Sequence, residues 1–443
     1  MRGRRYRRRG PVAKANVARG RRYRRRGALA KVAPPIPAET SVAKVPNTPD
    51  GQIPFALWPG QDPNEHRLGI YEFEIEATPL DQALWAAELP SRQSPFLTIE
   101  LSTSELKIIS ETKDASFVIS SSAPLRQQAE IGNAPIRFKV KRHVMRTIRW
   151  MPGALAFTFD RHSSSLTWIS YDHVTGEAET HICIGAEWVP LTSPEAGLRP
   201  LAVLDPQPVA TGILYASPLS GRKSTVNSPF AGIQIKGGSI FGAYPCGVSR
   251  YRSSSLPETL TLNVPKDHVA NALALFRRLD GQVEVLETDS HVYIRTQNIE
   301  ASWTRMCSWS PNELLAVNRA FELSPLRTVL IETPLLQRAS FALTLFEKVR
   351  ATVEDSGPDA GVVLSGSSKG DRGTVNLGGK LVCNGADNQG PWDLAINVKD
   401  LHDAASATTT PRILLSICDR GLLIQSEGSE DKFETFLLGS ERQ

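Results

Sequence analysis

Cysteine is scarce and scattered. Cys183, Cys246, Cys307, Cys383 and Cys418 are spread along a 443-residue chain with no C-x-x-C pair, which argues against a zinc ribbon or a disulfide framework and suits a reducing cytosol. No apolar run approaches the length of a membrane span, and there is no signal-peptide pattern, so neither a spanning segment nor export is expected. Catalytic signatures are missing too. There is no G-x-S-x-G and no H-E-x-x-H, and the SGSSKG run at 365–370 lacks the spacing of a phosphate loop, so it reads as a flexible loop. The eight histidines are dispersed, with nothing local to gather them around a metal. These absences point away from an enzyme, and no cofactor or metal is expected.

Acidic residues are nearly absent from the first 45 positions. Twelve Arg and three Lys stand there against one Glu, a local charge of +14, which on a chain total of +5 leaves −9 for the remainder. The protein is therefore an acidic body with a basic tail. That tail repeats itself, with RGRRYRRRG at 2–10 and again at 19–27. It has almost nothing to bury and is expected to be a disordered arm over residues 1–27. Nucleic acid phosphate, bound without sequence preference, is its expected partner, with Tyr6 and Tyr23 placed to stack on exposed bases. Eight prolines follow between 28 and 65, the mark of an extended linker.

From residue 70 the chain punctuates itself regularly. Segments starting at Phe138, Leu262 and Ile396 each show a short strand ending in Val, a helical stretch, a strand, a polar turn and another strand. The turns are Arg161–Ser165, Thr288–Ser290 and Asp419–Gly421. The anchors Val140, Val264 and Val398 set a module of about 125 residues that occurs three times. A second series lies between them: EIEATPLDQALWAAEL at 74–89, LDPQPVATGILYASPL at 204–219 and IETPLLQRASFALTLF at 331–346. Thr78 and Thr333 read as N-caps followed by Pro at the first helical position, and each helix is followed by a strand, LTIEL, AGIQI or AGVVL. This makes six units of strand, helix and strands, paired into three domains of an α+β fold over 66–195, 196–322 and 323–443.

Six copies of one amphipathic unit can close into a ring with sheets outside and helices inside. The helix expected at 141–151 places Val144, Ile148 and Met151 on one side with Met145 beside them, and Lys141, Arg142, Arg146 and Arg149 on the other. The helix expected at 266–279 offers Lys266, Arg277 and Arg278, and the one at 334–350 offers Arg338, Lys348 and Arg350. Basic inward faces on an acidic body would suit a ring around duplex DNA.

The stretch from VPKDHVANALALFRRL through WSPNELLAVNRAF resembles the bacterial DNA sliding clamp, the beta subunit of the replicative DNA polymerase III. The resemblance covers about residues 70–440 and is most specific at 262–318 and 396–438. It implies a non-catalytic processivity factor of the bacterial host cytoplasm or nucleoid, with three domains per protomer and a head-to-tail homodimer around double-stranded DNA. It also implies that a polymerase and a clamp loader attach through short peptide motifs, with no membrane partner. By position in the resemblance, Arg92 in LPSRQSP and Arg222 and Lys223 in SGRKST are DNA contacts. Gly247, Arg250 and Tyr251 in PCGVSRY, Pro311 and Ala316 in SPNELLA, and Phe436, Leu437 and Leu438 in TFLLG fall in the cleft that receives partner peptides. Gly439 replaces the usual Pro, the Gly-rich stretch 366–390 has no recognised counterpart, and the arm and linker are extra. These departures suggest a divergent clamp encoded by a phage or another mobile element. An Arg-rich arm followed by a linker and many strands is also the plan of a viral capsid protein, the competing reading.

Overall fold

The computed structural model describes residues 69–439 apart from short internal stretches. The arm and the linker lie outside the described residues. Strand β1 (Ile70–Glu76) leads into helix α1 (Ala77–Ala87) and strands β2 (Phe96–Leu101), β3 (Glu105–Glu111) and β4 (Phe117–Pro124). The same order follows in β5 (Ile136–Lys141), α2 (Arg142–Ile148), β6 (Ala154–Asp160), β7 (Ser165–Tyr171) and β8 (Ala178–Trp188). A second pair of units runs β9 (Arg199–Leu204), α3 (Pro206–Ala216), β10 (Gly232–Lys236), β11 (Ser239–Tyr244) and β12 (Gly247–Arg252), then β13 (Thr261–Pro265), α4 (Val269–Phe276), β14 (Val283–Glu287), β15 (His291–Arg295) and β16 (Ile299–Thr304). Helix α5 (Pro311–Phe321) connects to the third pair. That pair runs β17 (Arg327–Glu332), α6 (Thr333–Ala342), β18 (Lys348–Glu354), β19 (Gly361–Ser368), β20 (Asp371–Gly378) and β21 (Lys380–Asn384), then β22 (Leu394–Asn397), α7 (Val398–Ala407), β23 (Arg412–Cys418), β24 (Gly421–Ser426) and β25 (Lys432–Leu438). Six units of strand, helix and three strands are thus present, and the α+β reading holds.

Each unit folds for the same reason. Its strands alternate, so that Phe73 and Ile75 of β1, or Ile413, Leu415 and Ile417 of β23, face one side and are buried there. Its helix then covers that face: Leu80, Ala83, Leu84 and Ala87 of α1 join the same core as Phe138, Phe157 and Trp168. Capping is less regular than the sequence suggests. Asp205 accepts from the Gln207 amide at 2.9 Å, and Asn397 accepts from the Lys399 amide at 2.9 Å. Helices α1 and α6, however, begin after Glu76 and Glu332, neither of which caps with its side chain, so Thr78 and Thr333 sit inside the first turn. Thr333 is buried.

Several helices are shorter than the periodicity predicts. α2 ends at Ile148, α4 at Phe276 and α6 at Ala342, so Lys348 and Arg350 belong to strand β18 rather than to a helix. AGVVL falls in β19, one strand later than its assigned place. The Gly-rich stretch 366–390 is not wholly an insertion, because it contains β20, the third strand of its unit. The additional element is β21, which pairs with β17 through Leu330↔Lys380 and Val329↔Leu381.

The domains are joined by strand pairing. β4 pairs antiparallel with β16, through Ser120↔Glu300 and Val118↔Ser302. β12 pairs antiparallel with β25, through Arg250↔Glu434 and Val248↔Phe436. Each seam joins the last strand of a domain's first unit to the last strand of the next domain's second unit. Two last strands remain, β8 and β20. Among the described residues β20 is paired only with β19, and β8 only with β7 along Ala178–Gly185 and with β5 near its end.

Candidate nucleic-acid and partner interfaces

The helix faces come first. Arg142 is 6% exposed, and three bonds account for its guanidinium. Nη1 donates to the Ala87 carbonyl at 2.8 Å, Nε to the Ser94 carbonyl at 3.0 Å, and Nη2 to Ser110 Oγ at 2.7 Å. It ties the end of α1 to α2 and β3. Burial, helped by repulsion from Arg146, lowers its pKa to about 10, which still leaves it charged at neutral pH. The expectation that it lines a channel is therefore corrected. Arg142, Met145 and Ile148 form the buried stripe of α2, a rotation from the predicted stripe that leaves Val144 half-buried.

The other predicted cations divide. Arg146 is exposed and pairs with Glu88, Nε to Oε1, at 2.7 Å. The Arg278 guanidinium lies 3.7 Å from the centre of the Trp85 ring, a cation–π contact between the end of α4 and α1. Lys141 and Arg277 are exposed, and Lys266 is half-buried. Arg338 is exposed, and its Nε donates to the Pro334 carbonyl at 3.3 Å. Arg92, Arg149, Arg222 and Lys223 lie outside the described residues. Taken together, helices α1, α2, α3, α4, α6 and α7 hold Arg142, Arg146, Arg338 and Lys399 against Asp81, Asp400 and Asp403. Among the described residues, these six helices are therefore not strongly basic.

The seam between β12 and β25 holds the predicted cleft. The face of the seam that carries Val248 and Phe436 is covered by α5, whose start is fixed by a capping box: Ser310 Oγ accepts from the Glu313 amide and Glu313 Oε2 accepts from the Ser310 amide. Val317 and Phe321 of α5 pack with Trp309 onto Phe241, Val248, Leu423 and Phe436. Arg250 donates through Nη2 to Glu434 Oε2 at 2.6 Å and through Nη1 to Asn318 Oδ1 at 3.0 Å. Its guanidinium stacks 4.2 Å from the centre of the Phe321 ring. Arg252 also reaches Glu434, at 3.0 Å.

The predicted cleft residues do not share one environment. Leu437 is fully enclosed in the third domain's core. Tyr251 is fully enclosed in the second domain's core and donates its hydroxyl to Asp431 at 3.0 Å. Neither has a face for a peptide, so both assignments are corrected to core. Gly247, Arg250 and Phe436 are buried beneath the seam. Pro311 and Ala316 are exposed, as is Leu438. Sequence reasoning missed exposed Leu315 on α5. It also missed an open pocket of about 360 Å³ lined by Arg252, Gln425, Ser426, Lys432 and Glu434. Among the described residues no group of three or more His, Cys, Asp or Glu side chains could hold a metal ion, and no helix is long and apolar enough to cross a membrane.

The fold is that of bacterial DNA polymerase sliding clamps. The Pseudomonas aeruginosa DNA polymerase sliding clamp superposes with a TM-score of 0.65 at 12% identity, covering 84% of this chain and 100% of its own. The DNA polymerase III beta chain of Streptococcus pneumoniae TIGR4 gives 0.68 at 11% identity, with the same coverage of both chains. The beta subunit from Thermotoga maritima gives 0.65 at 10% identity, again with 84% and 100% covered. No protein-family model and no curated protein matches the sequence. The likeness inferred from VPKDHVANALALFRRL and its surroundings therefore holds at the level of the fold.

Proposed function

We propose that this protein is a non-catalytic DNA sliding clamp that encircles duplex DNA and tethers a polymerase to it. The observation that carries the reading is the pattern of strand edges. Two of three equivalent seams are closed within the chain, and of the strands that would form a third, among the described residues β20 is open on one side and β8 is open on one side along Ala178–Gly185, before its end pairs with β5. A second copy supplies the missing partner for each, head to tail, so that two protomers close a ring. Beside β20, α6 and the short 3-10 turn after it carry Phe341 and Leu345, which are 67% and 86% exposed. Large apolar side chains in such a position fit an interface. Gly373 of β20 lets the Phe346 ring lie close, since a Cβ there would stand 2.8 Å from it.

Partners attach on the outer side of the β12–β25 seam. Leu315, Ala316 and Leu438 offer the apolar anchors, and the pocket at Arg252 and Lys432 offers polar contacts, for a short extended peptide from a polymerase or a clamp loader. The site of action is the cytoplasm. A capsid shell has no support in this fold.

The test is the mass in solution at micromolar concentration. The full chain is expected at twice its 48.5 kDa, and the double variant Phe341→Arg, Leu345→Arg at the single-chain mass with an unchanged circular dichroism spectrum. A wild-type chain that remains monomeric contradicts the ring.

A further inference from the structure

The two seams inside the chain can be compared residue by residue, because the register within each unit fixes equivalent positions. On the last strands of the first units, Ser121, Tyr251 and Val375 are equivalent. Each lies across its hairpin from Ile108, Ile240 or Leu364, which in turn face Ile99, Ile235 and Ala351. On the last strands of the second units, Ile182, Ala301 and Thr435 are equivalent by the same route, through Trp168, Ile294 and Ile424 to Phe157, Val285 and Leu415.

Both internal seams then have one register. Ala301 lies opposite Ile119, two positions before Ser121. Thr435 lies opposite Ser249, two positions before Tyr251. The hydrogen bonds keep the same phase: the Thr304 amide donates to the Ser116 carbonyl at 3.3 Å, and the equivalent Leu438 amide to the Cys246 carbonyl at 2.8 Å. Side chains also cross the two seams alike. Leu89, just after α1, packs on the second domain's core. Leu219 closes the 3-10 turn after α3 and belongs to the third domain's core. Leu345 closes the corresponding turn after α6, yet it is exposed. Trp85 and Phe341 each stand nine positions after the residue that precedes their helix, Glu76 or Glu332. Trp85 is covered by Arg278 of the next domain, whereas Phe341 is exposed.

We infer that β20 receives β8 of a second copy in this same register, with Ile182 opposite Gly373 and Cys183 opposite Arg372, and that Leu345 enters the second copy's first domain as Leu89 and Leu219 enter their neighbours. The inference rests on the ring reading and adds to it which residues of the two copies meet. Ile182, which packs half-buried on its own domain's core, then arrives beside the Phe346 ring that lies close to Gly373. Cys183 and Arg372 are both exposed. As directly opposite residues they share one face of the sheet, with Cβ atoms about 5 Å apart. A slip of one residue would turn them to opposite faces.

The test uses the full chain, whose native Cys183 supplies one thiol, and places the second by Arg372→Cys. Residues 371, 372 and 374 are exposed, so substitutions there leave the fold intact. Dibromobimane, which becomes fluorescent on bridging two thiols, is added to each variant, and the linked peptides are identified by mass spectrometry. A bridge between residues 183 and 372 of two copies is expected, and it should vanish when Cys183→Ser is added. Thr374→Cys, diagonal to Cys183, should bridge roughly tenfold less, its Cβ lying about 7–8 Å away. Asp371→Cys, on the other face, should not bridge. Leu345→Ala should raise the dimer dissociation constant roughly 30-fold, and an unchanged constant overturns its place in the seam. Strongest bridging by Thr374→Cys or Asp371→Cys, or none by any variant, in a chain of twice the single-chain mass overturns the register and leaves the ring standing. A wild type at the single-chain mass with no bridge in any variant overturns both.

Discussion

The Arg250 guanidinium and the Glu434 carboxylate meet at 2.6 Å across the β12–β25 seam, although they lie 184 positions apart in the chain. Both are largely buried. Asn318 and the Phe321 ring hold the far side of Arg250, so the pair joins domains two and three to the connecting helix α5. Breaking one partner of a buried ion pair leaves an uncompensated charge, which costs more than the pair itself contributes. Glu434→Gln is expected to destabilise the fold by about 3 kcal/mol, read as a lowered urea midpoint. An unchanged midpoint would mean that water reaches Arg250.

Two arginines four positions apart in α2 should behave oppositely. Arg142→Ala strands the Ala87 carbonyl and Ser110 hydroxyl in a buried place and is expected to cost about 3 kcal/mol. Lysine should not restore it, because one ammonium cannot reproduce a three-armed fork. Arg146→Ala removes a pair whose arginine side chain is 54% exposed and should lie within about 0.5 kcal/mol of wild type. Comparable losses in the two variants would refute this division.

His268 gives the fold a dependence on pH. It is buried, packs 5.5 Å from the Phe117 ring centre, and among the described residues its Nδ1 has no hydrogen-bond partner. Burial lowers its pKa below the usual histidine value, against weaker opposing effects from Asp114 and Asp267. The neutral form is the one that folds. Its contribution is thus complete above pH of about 6.5 and is lost as the pH falls through the depressed folded value. The urea midpoint should drop between pH 7.5 and 5.5, and His268→Phe should flatten that drop. An equal drop in the variant would assign the effect to other groups.

Much of the fold is legible in the sequence because the units repeat. Val140, Val264 and Val398 do fall in or beside the strand that precedes each second helix, and the turns near Asp160, Thr288 and Asp419 lie where their polar residues suggest. The seams are not legible, since pairing between β12 and β25 has no local signal. The face of a seven-residue helix is also hard to read: shifting the buried stripe onto Arg142 took only a modest rotation, and nothing in the local pattern marks the Ala87 and Ser110 acceptors. Likewise, alternation along β25 buries Leu437 and exposes Leu438, but adjacent leucines do not say which is which. The SGSSKG run that reads as a loop begins inside β19, and β20 is hidden in the Gly-rich stretch without a counterpart, where Gly366 and Gly373 give the pattern no side chain and instead admit the Phe346 ring.

The central claim is topological, and threading tests it most directly. Protein is allowed to slide onto a linear duplex biotinylated at both ends, streptavidin then blocks the ends, and the complex is washed at 500 mM salt, a concentration at which arm contacts to phosphate are weakened by orders of magnitude. The account predicts that the protein stays on blocked DNA and runs off open-ended DNA of the same length. Equal loss from both, or equal retention on both, would contradict an encircling ring.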